Sequence, residues 1–308
     1  MLVSVLKIIM ILKILKNPHF YLGLFLAVII LLLLWPSGYK FFPKSTAFNF
    51  EHPPQPVVLQ TARPQLSTNT YILVDVATNK ILASAHEHQR IYPASTTKLA
   101  TALTALNAYP LDEIVTVTKS YQEGKIMNLH LGDKVTVKTL ISGLLIHSAN
   151  DAAFTLASHY SQGYQAFVNY MNALTKKYGL KNTHFTNPDG IHDPSHYSTV
   201  YDLAQLGRLA AQNDTIRQIV KTTKITLTDT TRSVNYPIVT TNELLGVIPE
   251  VEGFKTGWTP EGGSSFIGLL NLNGHYLISV IAQSQDRFAD TRILLDWAKK
   301  NLTWRNYR

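Results

Sequence analysis

No cysteine occurs in the 308 residues, which excludes disulfides, thiolate nucleophiles and cysteine-based metal sites together. Such a chain is compatible with an oxidising exterior without requiring one. Charge is scarce as well: Asp, Glu, Lys and Arg make up 16% of the residues against 45% hydrophobic, a balance that excludes a disordered chain and fits a globular or membrane-associated one. Acidic residues are the rarer sign, leaving a formal charge of +8. That surplus is uneven. Residues 1–66 hold Lys7, Lys13, Lys16, Lys40, Lys44 and Arg63 against Glu51 alone, so +5 of it belongs to the front and +3 to everything after. With no concentrated basic run in the remainder, nucleic-acid binding is not expected. There is no internal repeat and no His-Glu-x-x-His; the closest histidine spacings are His86/His88 and His192/His196, and neither metal nor cofactor is expected.

What the front does have is one long apolar run. "FYLGLFLAVIILLLLW", Phe20–Trp35, carries no charge and with its flanks approaches the length a bilayer core needs. The preceding lysines predict that the N-terminus stays cytoplasmic and the rest is exported, with Trp35 and Tyr39 at the outer interface. "MLVSVLKIIMILKILK" reads as an interfacial helix on the inner leaflet. The small residues Ser45-Thr46-Ala47 that would suit signal cleavage lie well past Leu34, so an uncleaved anchor is expected. Six prolines follow between Pro36 and Pro64, marking an extended tether that could reach at most about 90 Å at about 3.1 Å per residue. The expected organisation is a basic interfacial segment over 1–18, a transmembrane anchor over 19–36, a Pro-rich linker over 37–66 and one exported domain over 67–308.

The domain opens with "TYILVDVATNKILASAH", two strands around Thr78-Asn79. Apolar spacing predicts helices over 95–109, 137–146, 150–160, 163–178 and 200–212. Strand-like runs return in "KITLTDT", "VEGFKTGW", "SSFIGLLNL" and "HYLISVIAQ", with a hairpin signal at Asn273-Gly274, before "DRFADTRILLDWAKKNL" closes as an amphipathic helix. Strands at both ends with helices between predict an α+β domain whose single antiparallel sheet is assembled from the N- and C-terminal parts.

One lysine in this pattern demands an explanation. In "YPASTTKLATALTAL", Lys98 enters an apolar helix with no carboxylate within five residues on either side. Ser95 stands three residues before it, on the same helix face, as a nucleophile and its base would. Ser-x-x-Lys alone says little, since it recurs at Ser4/Lys7 and Ser37/Lys40, and Ser-x-Asn occurs at Ser67/Asn69, Ser148/Asn150 and Ser233/Asn235; only Lys255-Thr256-Gly257 is unique. Context sorts them. Ser95 opens a helix, where unpaired N–H groups favour developing negative charge. Ser148-Ala149-Asn150 lies at a junction of two apolar helical runs, and Gly257 lets a ligand approach the backbone of a strand.

Serine-lysine, Ser-x-Asn and Lys-Thr-Gly in that order form the signature of β-lactamases and penicillin-binding proteins. Together with "SANDAA", "NPDGIHDPSHYSTVYDLA" and "GFKTGWTPEGGSS", they make residues 68–300 resemble the serine-type D-alanyl-D-alanine carboxypeptidases, the low-molecular-mass penicillin-binding proteins. The resemblance implies a β-lactamase/transpeptidase-like fold with a mostly helical subdomain, and a bacterial cell-membrane location with the domain outside. It implies that Ser95 forms an acyl-enzyme, Lys98 takes its proton, Ser148 relays a proton to the leaving amine, and Asn150 orients Lys98 and the substrate amide. Lys255 and Thr256 would hold the terminal carboxylate of a D-Ala-D-Ala peptidoglycan stem, and the backbone N–H groups of Ser95 and Trp258 would form the oxyanion hole. β-Lactams would acylate the same serine. Lys98 can serve only when neutral, a drop of about three pH units from its ordinary value, or about 4 kcal/mol. Burial and the cation of Lys255 push that way, and a carboxylate would oppose them.

Four rival readings address the same motifs or the same bond. A class A β-lactamase uses a glutamate between the second and third motifs, yet Glu243, Glu250 and Glu252 are the only candidates and none has a suitable setting. A zinc D,D-peptidase lacks its ligand spacing. A non-catalytic peptidoglycan-binding domain would not need Ser95, Lys98, Ser148, Asn150 and Lys255 intact. An endopeptidase cutting cross-links shares every motif. The "NPDGIHDPSHYST" stretch is expected as a Pro/Gly/Asp-rich loop near the site.

Overall fold

The computed structural model describes residues 53–60 and 62–306. The apolar run expected as an anchor lies outside them, and among the described residues no helix is long and apolar enough to cross a membrane.

Five antiparallel strands form the main sheet: β2 (Thr70–Asp75), β3 (Ile81–Ala85), β8 (Val251–Thr259), β9 (Gly263–Leu272) and β10 (His275–Ser284), in the order β3-β2-β10-β9-β8. The first two come from the front of the domain and the other three from its back, as the pattern predicted. Every residue of β2 is buried, because the sheet is covered on both faces. On one face lies the helical layer, α1 (Lys98–Ala108), α2 (Val137–Ser142), α3 (Asn150–His159), α4 (Tyr164–Lys177), α5 (Val200–Ala211) and α6 (Asp214–Val220). Ile72, Val74, Ile267 and Ile278 from the sheet join Leu99, Leu144 and Leu203 from that layer in one core. On the other face α7 (Arg287–Asn301) packs Leu294 and Leu295 against Leu73, Phe266 and Ile281.

Several helices start where side chains supply missing acceptors. Thr136 caps α2, Thr199 caps α5 and Asp286 caps α7, accepting from the N–H groups of both Phe288 and Ala289. Helix α1 is buried nearly all round, with Leu99, Ala102 and Ala105 wholly enclosed, which accounts for its uniformly Ala, Leu and Thr composition.

Two expectations need correction. "KITLTDT" does not join the main sheet: it forms β6 (Lys224–Thr228), paired with β7 (Asn235–Val239) in a separate two-stranded hairpin. A second small pair, β4 (Ile114–Thr116) with β5 (Lys134–Thr136), escaped notice because three residues carry no readable alternation. The Pro-rich stretch is also not wholly a tether. Its described residues pack on the domain, and β1 (Gln55–Val58) pairs antiparallel with β11 (Leu302–Arg305). The chain then runs back along α7: Leu59 N–H donates to the Asn301 carbonyl at 2.8 Å, Trp297 Nε1 to that of Ala62 at 2.7 Å, and Ser67 N–H to the Asp290 carboxylate at 2.7 Å.

Candidate active site

Ser95 sits on a single 3-10 turn, Ala94–Thr97, that runs directly into α1. Pro93 stands ahead of it, and its carbonyl accepts both the Thr96 N–H at 3.1 Å and the Thr96 hydroxyl at 2.6 Å. Ala94 takes a positive φ of 50°, a bend that aims the following serine into a cleft of about 580 Å³. Ser95, Ser148, Asn150, Thr256 and Trp258 all line that cleft, so five expected side chains converge from three separate stretches of sequence.

Lys98 Nζ lies 2.9 Å from Ser95 Oγ and donates to the Asp189 carbonyl at 2.6 Å. The side chain is fully enclosed. Burial pulls its pKa down to about 8, against the opposing pull of the Asp189 and Asp151 carboxylates. Here the structure departs from the sequence reading. The lysine has no acidic neighbour along the chain, yet two carboxylates reach it through space, and burial rather than the Lys255 cation is what lowers it.

Lys255 on β8 is 1% exposed and donates Nζ to the Thr256 carbonyl at 2.9 Å. Its pKa falls well below the ordinary value through burial and the nearby cations of Lys98, Arg287 and Lys125. It stands behind the cleft wall rather than in it. The next residue, Thr256, does face the cleft, with its hydroxyl held 2.6 Å from that of Thr241. Gly257 is small for a different reason than expected: a Cβ there would press to 3.0 Å from the Pro93 carbonyl, so the glycine lets β8 pack against the nucleophile's turn. Trp258 is 61% exposed at the mouth.

Ser148 takes a left-handed conformation, φ 67°, ending the π-helical turn Gly143–His147 just before α3 begins. Asn150 opens α3. Its Nδ2 donates to the Glu123 carbonyl at 2.9 Å and its backbone N–H to that of Lys125 at 2.7 Å, so it holds the cleft's 123–125 rim rather than contacting Lys98.

The 184–198 loop closes the cleft on the remaining side, as expected. Asp189, Gly190, Ile191 and His192 line it. His196 is buried, accepting the Thr186 N–H at Nδ1 (3.1 Å) with Nε2 2.8 Å from the Thr97 hydroxyl, and burial takes its pKa down to about 3. Among the described residues no three His, Asp or Glu side chains converge as a metal set.

Two cleft residues were missed. Arg287, the first residue of α7, donates Nη1 to the Gly257 carbonyl at 3.1 Å, and among the described residues its buried Nε finds no partner. No spacing rule ties the closing helix to the third motif. Asp189 was quoted within a loop but given no role, because its contact with Lys98 spans 91 positions.

A cleft serine within hydrogen-bond reach of an enclosed lysine, on an α+β scaffold, defines a serine hydrolase. Comparison with known proteins narrows the class. The family description "D-alanyl-D-alanine carboxypeptidase", peptidase S11, matches residues 57–286, and the chain belongs to that family. It is 30% identical to D-alanyl-D-alanine carboxypeptidase DacF of Bacillus subtilis over 74% of this chain and 61% of that protein. It is also 30% identical to the D-alanyl-D-alanine endopeptidase of Escherichia coli, over 77% of this chain and 78% of that one. The crystal structure of the Streptomyces K15 DD-transpeptidase superposes with a TM-score of 0.73 at 30% identity, covering 77% of this chain and 98% of that one. The chain spans less than two thirds of the length of several curated carboxypeptidases it matches.

Proposed function

We propose that this protein is a serine D,D-carboxypeptidase that removes the terminal D-alanine from peptidoglycan stem peptides. The observation that carries the reading is Lys98 Nζ at 2.9 Å from Ser95 Oγ, enclosed and with its pKa drawn to about 8. A neutral amine there accepts the Ser95 hydroxyl proton as Oγ bonds to the carbonyl carbon of the penultimate D-alanine. The N–H groups of Ser95 and Trp258 take the negative charge that develops on the carbonyl oxygen. Ser148 passes a proton to the departing amine as the peptide bond breaks, and D-alanine leaves. Water then cleaves the ester and restores Ser95.

Recognition of the terminal carboxylate falls to Thr256 at the cleft surface, with the Arg287 guanidinium beside it and Lys255 behind the wall. Asn150 keeps the opposite rim in place. β-Lactams present a similar carboxylate beside a strained amide and acylate Ser95 in the same way.

The decisive assay is D-alanine release from a pentapeptide stem. Wild type should release it, and Ser95→Ala should lose about 10³-fold or more of the rate. Equal, near-zero release from both would leave only a wall-binding role. A cross-link endopeptidase is the second reading, favoured by the E. coli relative of that name, which matches over most of its length. Digestion of monomeric and cross-linked muropeptides with mass detection separates the two.

We further propose the membrane-anchored arrangement expected from Phe20–Trp35, with a cytoplasmic N-terminus and an extracytoplasmic domain. The uncharged length of that run and the lysines ahead of it support the reading.

A further inference from the structure

We infer that Asp189 is a positioning residue that keeps the buried base at Lys98 basic enough to take the serine's proton. This rests on the reading of Lys98 as that base.

The inference starts from a comparison within the molecule. Lys98 and Lys255 are both enclosed, 0% and 1% exposed, on elements that face each other. They differ in company. Around Lys255 stand Lys98, Arg287 and Lys125, all cations. Around Lys98 stand the carboxylates of Asp189 and Asp151. Burial without a compensating carboxylate drives an amine toward permanent neutrality, and a very weakly basic amine has little tendency to accept a proton from a hydroxyl.

Of the two carboxylates, Asp151 is committed elsewhere. It accepts the backbone N–H groups of Met127 and Ala152 through Oδ1 and that of Leu129 through Oδ2, at 2.9 to 3.0 Å, holding the 127–129 segment against α3. Asp189 is built around the lysine. Its carbonyl takes one Lys98 N–H at 2.6 Å, while its carboxylate accepts the Tyr121 hydroxyl at 2.6 Å. Tyr121 is itself stacked on Phe154 of α3 at 4.6 Å, which fixes the phenol from the far side of the cleft. The next residue, Gly190, has φ 84°, and any Cβ there would collide with the Ala94 carbonyl, so the Asp189–Gly190 pair is wedged against the turn that carries Ser95. One residue therefore fixes the amine by its carbonyl and offsets the amine's burial by its carboxylate.

The other titratable or charged groups near Lys98 are few: Asp151 on α3, Lys255 on β8, His196 on the closing loop, and Tyr164 on α4, whose phenol feels the Asp189 charge. His196 stays neutral down to about pH 3, and the phenol of Tyr164 is held above its ordinary range by burial. Neither changes charge where Lys98 does.

The test is the pH dependence of Ser95 acylation by a penicillin, followed as a mass adduct, in wild type, Asp189→Asn and Tyr121→Phe. Asp189→Asn keeps the carbonyl and removes the charge. Its rising limb should move to lower pH, so that at about pH 6 its rate relative to its own plateau exceeds wild type by about three- to tenfold. The plateau itself should fall, because a less basic amine takes the proton less readily. Tyr121→Phe releases the carboxylate to solvent and should move the limb the same way by less; it carries the test should Asp189→Asn not fold. A limb unmoved in folded variants overturns the inference while leaving the serine–lysine reading intact. No adduct in wild type would overturn that reading, and this inference with it.

Discussion

His196 touches no reacting atom, yet it ties the loop that holds Lys98 to the helix that carries it. With Nδ1 accepting from Thr186 N–H, the ring proton sits on Nε2 and goes to Thr97, the residue just before Lys98. The folded protein keeps this ring neutral down to about pH 3, whereas the unfolded chain protonates it near the ordinary value of 6.5. A folded pKa below the unfolded one gives stability that is present above about pH 6.5 and lost as pH falls, here by up to about 1.4 kcal/mol per pH unit. The stability difference between wild type and His196→Asn should therefore shrink as urea unfolding is repeated from about pH 7 down to about pH 4.5. A constant difference would mean that the ring takes up its proton in the fold just as it does in the unfolded chain. At this scale the sequence was partly legible. The spacing of Ser95 and Lys98 is set by helix geometry and could be read directly. The decoys could not be dismissed by spacing: Ser67, in one Ser-x-Asn, spends its hydroxyl on Asp290 at 2.7 Å, and Ser233, in another, sits 2.6 Å from the Thr231 hydroxyl in a turn. Nor could Asp189 and Arg287 be found, since only the fold brings them to the cleft.

The loop 184–198 and β8 meet the nucleophile's turn from two sides, and each does so with a glycine. Gly190 is the tighter of the two, because its positive φ and its contact with the Ala94 carbonyl both forbid a side chain. Gly190→Ala should cost about 2–4 kcal/mol of stability. It should also slow Ser95 acylation by more than about tenfold, since the turn must shift to admit the methyl. Denaturation midpoints and acylation rates on the same sample check both; wild-type acylation would show that the turn has slack. The long runs were legible because their periods are unambiguous: α1, α2 together with the π-helical turn that carries it on to His147, α3 to α5, and β8, β9 and β10. The helix α6, only seven residues, and the short pairs β4–β5 and β1–β11 were not, because too few residues repeat to reveal a period. "KITLTDT" had the right strand chemistry for the wrong sheet; alternation identifies a strand and says nothing about its partner.

The scale of the whole molecule is set by β10 and α7. Strand β10 ends at Ser284 beside the cleft, and α7 turns back from Arg287 over 15 residues, a run of about 22 Å, to deliver β11 at the opposite pole. There Trp304 stacks on His275 at 4.1 Å and donates Nε1 to Asp75 at 3.1 Å. The incoming segment reaches β2 only after passing along this helix, fastened by Asp290, whose carboxylate also accepts the Ser284 hydroxyl at 2.6 Å. Asp290→Ala leaves the buried Ser284 hydroxyl and the Ser67 N–H and hydroxyl without their acceptor and should cost about 2 kcal/mol. Limited proteolysis should then cut the variant between residues 59 and 66 before the rest of the domain is touched. A cutting pattern identical to wild type would show that the strands β1 and β11 hold the segment unaided. Linear order alone could not reveal this, since a proline-rich stretch reads as spacer until its partner strand is known.

Because Gln55 and Arg305 are register partners, the first and last strands lie side by side, at the end of α7 away from the cleft. A bead, tag or fused cargo coupled just past Arg305 thus sits where it cannot shade the mouth, and an immobilised sample should titrate with a bulky penicillin conjugate as completely as protein free in solution.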